Sequence, residues 1–257
     1  MESLKEKTNA YLKSHRVEVL VNNFVDKDVQ SMLLPLNLMQ IIQLCPKYSI
    51  KNNFITQNSR FSNLVSICGT ILCILLLIYE LYNVYVEPSH LISNKTTFIC
   101  CNINCVIYSL GFLMNLTISI FYTNENVLFV LKFQEIHRFF NNKTSFKLFI
   151  IGNWFAVVMF LLCYICFRTF FSISIETPVH RIFSSTILLT FDANMIYAMR
   201  LIQVLEDKVD QWNIQARQYQ NIEDRVMQDY CKRMFQAYVN ILDCLDICKA
   251  SFQLMVS

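Results

Sequence analysis

Glycine and charge are what this sequence has least of. Three glycines and four prolines in 257 residues exclude a phosphate-cradling loop or a dinucleotide fold, which need glycine where backbone approaches a pyrophosphate. Charged residues make up 16% of the chain, against ~25% in ordinary soluble domains. The net charge is only +3, and no basic block is dense enough to hold nucleic acid. The histidines, His15, His90, His137 and His180, stand apart. No HExxH or related spacing joins them, so a zinc protease or di-iron enzyme would have no ligands. GxSxG and paired intramembrane carboxylates are missing too. The expectation is no enzyme, no cofactor and no metal. Cys163 and Cys166 have redox-like spacing, but a zinc site needs a second pair and an aqueous setting. The cysteines of the apolar runs read as small hydrophobes packing between helices. A cleavable signal peptide is not expected either. Charges from Glu2 to Asp28 interrupt the region where its apolar core would lie.

What the sequence does have is length without charge. Residues 61–79, 96–124 and 148–167 carry none, and 182–199 carry a single acid, Asp192. About 18 such residues suffice to cross the ~30 Å hydrocarbon layer as a helix. The expected class is an all-α membrane protein with four transmembrane helices, at about 64–85, 98–122, 146–171 and 182–205. Residues 1–60 form an expected cytoplasmic segment. Its apolar stretch, 32–45, is broken by Pro35 and closed by Pro46. That is too short to span and reads as an amphipathic or interfacial piece. Residues 123–145 read as a basic connection, with Lys132, Arg138 and Lys143. After Leu205 the chain turns polar, and 206–257 read as a cytoplasmic helical segment leading into a truncated fifth helix. A stripe of Met234, Tyr238, Ile241, Leu242, Leu245, Cys248 and Phe252 predicts an amphipathic helix there. Lys and Arg concentrate before helix one, between helices two and three, and after helix four. That bias places both ends in the cytoplasm. Asn94 is then an outside glycosylation acceptor, whereas Asn142 faces the cytoplasm and Asn115 lies within a helix.

Asp192 falls about ten residues into helix four, roughly 15 Å deep. An ionisable group at such depth is costly and points to function. It pairs with a neighbouring helix or lines a ligand cavity; the sequence leaves both open. Arg168 and Glu80 lie near the outer ends of helices three and one, where snorkelling to the interface accounts for them. Tyr108, Trp154, Tyr164 and Phe167 could wall a cavity, or simply contact lipid. The candidate ligand-binding set is Asp192, Arg168, Tyr164, Trp154 and Tyr108.

Four stretches carry a resemblance. They are Leu33-Leu-Pro-Leu-Asn-Leu-Met-Gln-Ile-Ile-Gln-Leu-Cys-Pro-Lys-Tyr, Lys51-Asn-Asn-Phe-Ile, Asp192-Ala-Asn-Met-Ile-Tyr-Ala-Met-Arg-Leu-Ile and Gln236-Ala-Tyr-Val-Asn-Ile-Leu. In these the chain resembles the insect gustatory receptors, of lepidopteran type. The resemblance implies seven helices, a cytoplasmic N-terminus and ligand-gated cation channels in the plasma membrane. It further implies homo- or hetero-oligomers, small-molecule tastants as ligands, and a last helix that lines the pore. That family's signature, Thr-Tyr, five apolar residues and Gln-Phe, does not occur here. The chain is therefore expected to hold four helices and the start of a fifth, without the pore helix. The alternative is a non-conducting membrane scaffold or modulatory subunit. A transporter fits less well, since no inverted repeat is visible.

Overall fold

The computed structural model describes residues 23–86, 95–140, 142–175, 189–218 and 224–256. They are mostly helical. The first helix, α1 (Lys27–Ile42), contains Pro35. It closes in a Schellman turn, with Cys45 N donating to Gln40 O at 3.1 Å and Leu44 N to Ile41 O at 2.9 Å. The left-handed position is Leu44, at φ 59°, where glycine is usual. Packing holds it there. A Cβ added to Gly69 would stand 2.7 Å from Leu44 Cδ1, so only glycine leaves room for this side chain.

A hairpin follows, β1 (Ser49–Lys51) paired antiparallel with β2 (Phe54–Thr56). Asn52 and Asn53, at φ 53° and 67°, supply the two positive dihedrals that a tight two-residue hairpin turn needs. The hairpin docks on the chain before α1 through Val25 N→Asn53 O and Ile55 N→Asn23 O, at 2.8 and 2.9 Å.

Five long helices and one shorter one complete the described residues: α2 (Arg60–Val86), α3 (Lys95–Phe121), the shorter α4 (Thr123–Phe140), α5 (Lys143–Ile175), α6 (Leu189–Gln218) and α7 (Asp224–Val256). Local caps set two starts. Ser59 Oγ accepts from Ser62 N at 3.1 Å, and Asn142 Oδ1 accepts from Ser145 N at 3.2 Å, each satisfying an otherwise orphan donor.

Among the described residues three helices are long and apolar enough to cross a membrane: Arg60–Asn83, Ile99–Phe121 and Thr144–Phe167. Residues 182–188 of the expected fourth span lie outside the described residues, as does Asn94. The three helices keep only 17, 22 and 11% of their apolar windows buried. The main core lies elsewhere, among α1, the hairpin, α4, α6, α7 and part of α5. Between α2 and α3, among the described residues, a small cluster closes around Leu77 and Phe112.

Two expectations need correcting. The expected basic connection at 123–145 is mostly a core helix: α4 occupies most of it and is buried on nearly every side, from Val127 to His137. Its lysine had suggested a connection, but Lys132 pairs with Asp243 of α7 and so tolerates burial. The α7 stripe holds only in part: Ile241 and Cys248 face the core, joined there by Ala237 and Cys244, whereas Tyr238, Leu242 and Leu245 stay exposed. Moreover, α7 packs most extensively on α4 and second on α6.

Candidate functional site

Where α1, α5 and α6 meet, polar side chains form a buried seam. Proline cannot donate a backbone hydrogen bond, so Pro35 leaves the Ser31 carbonyl without its usual partner and opens that turn of α1. The neighbouring Met32 carbonyl accepts from Asn153 Nδ2 of α5 at 2.9 Å. Asn153 is fully buried. Its oxygen takes Arg200 Nε of α6 at 2.7 Å, and Arg200 Nη1 reaches Gln203 at 2.6 Å. The guanidinium lies against Gly152, where a Cβ would approach Arg200 Nη2 to 2.6 Å. One asparagine thus ties three helices together.

The seam continues past the tip of α1. Gln40 Nε2 donates to Asn194 Oδ1 at 3.2 Å, both buried. The Lys47 ammonium sits 4.2 Å from the centre of the Tyr197 ring, a cation–π arrangement. Lys47, Tyr48 and Tyr197 are almost fully buried. Burial brings the Lys47 ammonium down to about 8, opposed by Cys248 and Cys45. Burial likewise pushes the Cys45 thiol up to about 11. These shifts run in the direction that a dry environment dictates. On the α2–α3 side lie Ser66, Thr70, Asn115 and Ser119, all buried. Ser119 Oγ and Asn58 Nδ2 donate to the Pro46 carbonyl at 2.7 and 2.5 Å. Neither side-chain polar atom of Asn115 has a hydrogen-bond partner among the described residues.

A second polar cluster lies at the opposite end of α1. Gln134 of α4 accepts from Asp26 N at 2.7 Å and donates to Phe24 O at 2.9 Å. Arg138 grips the Asp26 carboxylate with two bonds, at 2.7 and 2.8 Å. Arg138 holds the Asp26 carboxyl below its usual value. Asp26, Lys27, Asp28, His137 and Arg138 line an open cleft of about 360 Å³. Among the described residues no three His, Cys, Asp or Glu side chains come together as a metal site.

The structure does not gather the candidate ligand set into one place. Asp192 is exposed in the first turn of α6, whereas Ala193 and Asn194 beside it are buried. Tyr108 packs in the small α2–α3 cluster. Trp154 and Tyr164 lie on α5, the former 38% exposed and the latter half-buried. Arg168 is on α5 as well, with its side chain outside the described residues. The seam residues were missed. A signal existed for Asn194: with Tyr197, Ala198, Leu201 and Leu205 it keeps helical spacing, placing Asp192 on another face. Asn153, alone among apolar neighbours, was a weaker signal. Comparison with protein-family models, characterised proteins and solved structures found no match to this chain.

Proposed function

We propose that this chain is a chemosensory receptor subunit of the insect gustatory type, multi-pass in the plasma membrane and responsive to small-molecule tastants. The observation that carries the reading is the seam, which connects apolar, lipid-length helices to a packed bundle beyond them. A ligand that shifts α5 or α6 would pull on Asn153 and Arg200, and so on α1. In this reading residues 182–205 are a fourth span that includes the first part of α6, and both ends of the span set lie in the cytoplasm. A second reading is a non-conducting scaffold or modulatory subunit. It is favoured by the way Gln40 pairs with Asn194 and Asn153 with Arg200, rather than lining a shared axis as an ion path requires.

The test is thermal unfolding of the purified chain in lipid nanodiscs with bitter and sugar ligands, alongside currents from a co-expressed full-length receptor. A ligand-dependent rise in unfolding temperature that Asp192→Asn reduces supports the sensing reading. An altered partner current without any ligand shift selects the modulatory one. Neither effect would sink both. Glycosylation mapping checks orientation: modification at Asn142 instead of Asn94 would invert it.

A further inference from the structure

We propose that α1 enters the cytoplasmic leaflet by its C-terminal half and presents Leu34, Leu38, Ile41 and Leu44 to phospholipid acyl chains. The inference rests on the membrane reading of α2, α3 and α5. The outward face of α1 changes character along its length. At the start its exposed residues are Lys27, Asp28 and Ser31. From residue 34 to residue 44 every exposed residue is Leu or Ile. Leu34, Leu38, Ile41, Ile42 and Leu44 are 53, 41, 50, 55 and 40% exposed. A helix lying flat on a surface would divide polar from apolar around its circumference. Here the division falls across the axis, as expected for a helix passing from water into lipid.

Contacts at both ends set the direction. Asp26 is held by Arg138 in the last turn of α4. That helix leaves the end of the Ile99–Phe121 span and runs about 27 Å beyond it, at ~1.5 Å per residue. At the other end Leu44 lies on Gly69, about 13 Å along α2 from Arg60 by the same rise. Pro46 meets Ser119, in the last turn of the α3 span. The tip of α1 therefore reaches apolar depth while its start remains with the bundle. The apolar face also continues an existing one. On α5, against which α1 packs, Leu148, Ile151 and Phe155 are 67, 65 and 66% exposed. Aliphatic side chains gain nothing from water at such sites and lose nothing in lipid.

Tryptophan quenching tests this in the full chain reconstituted in phosphatidylcholine vesicles. Trp154→Phe removes the exposed α5 indole, and Trp212, half-buried between α6 and α7, gives a constant background. Into that variant are placed Leu38→Trp, Ser31→Trp and, on α2, Leu75→Trp. Ile41→Trp replaces Leu38→Trp should the latter fail to fold. We expect lipids brominated on the acyl chain to quench Leu38→Trp and Leu75→Trp to a comparable degree, and aqueous iodide to quench Ser31→Trp. If Leu75→Trp is lipid-quenched but Leu38→Trp responds to iodide alone, α1 faces water. If Leu38→Trp responds to neither, protein covers it. Either result overturns the inference and leaves the membrane reading intact. Loss of lipid quenching at Leu75→Trp would fell both.

Discussion

The α4–α7 bundle and the α2–α3 pair differ in composition, the latter far more apolar, and they use their apolar residues in opposite ways. In the bundle, α4 buries Val127, Val130, Phe133 and Ile136 against neighbours on several sides. Its polar groups find partners. Lys132 meets Asp243, Asn240 Nδ2 donates to Glu135 at 2.9 Å, and Lys208 lies between Asp207 and Gln211 at 3.3 and 3.0 Å. On α2, Leu72, Leu75, Ile78 and Tyr82 are each more than half exposed. In water each would forfeit ~1.5–3 kcal/mol of burial. In lipid nothing is forfeited, and helices associate instead through small and polar residues. Ser66, Thr70, Asn115 and Ser119, buried within α2 and α3, fit that rule. The more polar helices bury their apolar residues and the more apolar helices expose theirs, so burial and composition run in opposite directions in the two regions.

The sharpest way to break this comparison is one truncation made in both places. Ile241→Ala, at a site 1% exposed, should cost about 2–5 kcal/mol through lost burial and a cavity. Leu75→Ala, at a site 56% exposed, should stay within about 0.5 kcal/mol. Thermal unfolding in detergent reads both. An arginine should reverse the order: Leu75→Arg impairs insertion by about 3 kcal/mol at mid-membrane, whereas Phe235→Arg, on the exposed side of α7, leaves insertion unchanged. Equal costs at Ile241 and Leu75 would mean that α2 is not a lipid-facing helix.

That contrast also explains what could be read from sequence. Uncharged runs announce lipid-length helices because hydrocarbon tolerates little else, so α2, α3 and most of α5 were legible. The bundle was less so. The charges of α4 look like loop signals until Asp243 appears opposite Lys132, and that pairing joins residues far apart in the chain. On α7 the expected stripe was too wide, because apolar Tyr238, Leu242 and Leu245 flank the buried Ile241 and Cys248; contact with α4 selects the face of Ile241. The seam was hidden for a similar reason. Asparagine in an apolar run has no meaning until its partners, the Met32 carbonyl and Arg200, are known. Asp192 drew attention by its charge, although Asn194 is the residue that points inward.

A middle-sized effect joins the two regions at Asn153. Asn153→Leu would strand the Met32 carbonyl and the Arg200 guanidinium, for an expected loss of about 1–3 kcal/mol. Pro35 ought to couple to it. Pro35→Ala restores the donor to the Ser31 carbonyl, one residue before Met32, and so tightens the turn that Asn153 borders. The double variant should therefore lose less than the two single losses added together. Strict additivity would show that the hydrogen bond to Met32 does not serve the opened turn.

The smallest expected effect lies in the bundle and depends on pH. The His137 ring stacks on Phe146 with centroids 3.8 Å apart and is 6% exposed. Its Nδ1 has no hydrogen-bond partner among the described residues. Lys208, on α6, lies 5.9 Å from the same phenyl ring. Asp26 and Asp28 approach from α1, with Arg138 already committed to Asp26. Burial first, and Lys208 second, hold the imidazole below its ordinary 6.5, against the pull of the two aspartates. The unfolded chain then binds the proton more readily than the folded one. Stability is present in full above about 6.5 and declines as pH falls through the lowered folded value. Asp26 cannot mimic this, because its carboxyl is held below 3.8 and its contribution is lost only in stronger acid. Unfolding temperature should therefore fall between about pH 7 and pH 5, the range in which histidine titrates, and His137→Phe should flatten that part of the curve. Added salt should leave most of the slope, because desolvation rather than long-range charge is the main cause. Parallel curves for the wild type and His137→Phe would show that the acid sensitivity arises elsewhere, and that this stack is as indifferent to pH as the lipid-facing side chains of α2.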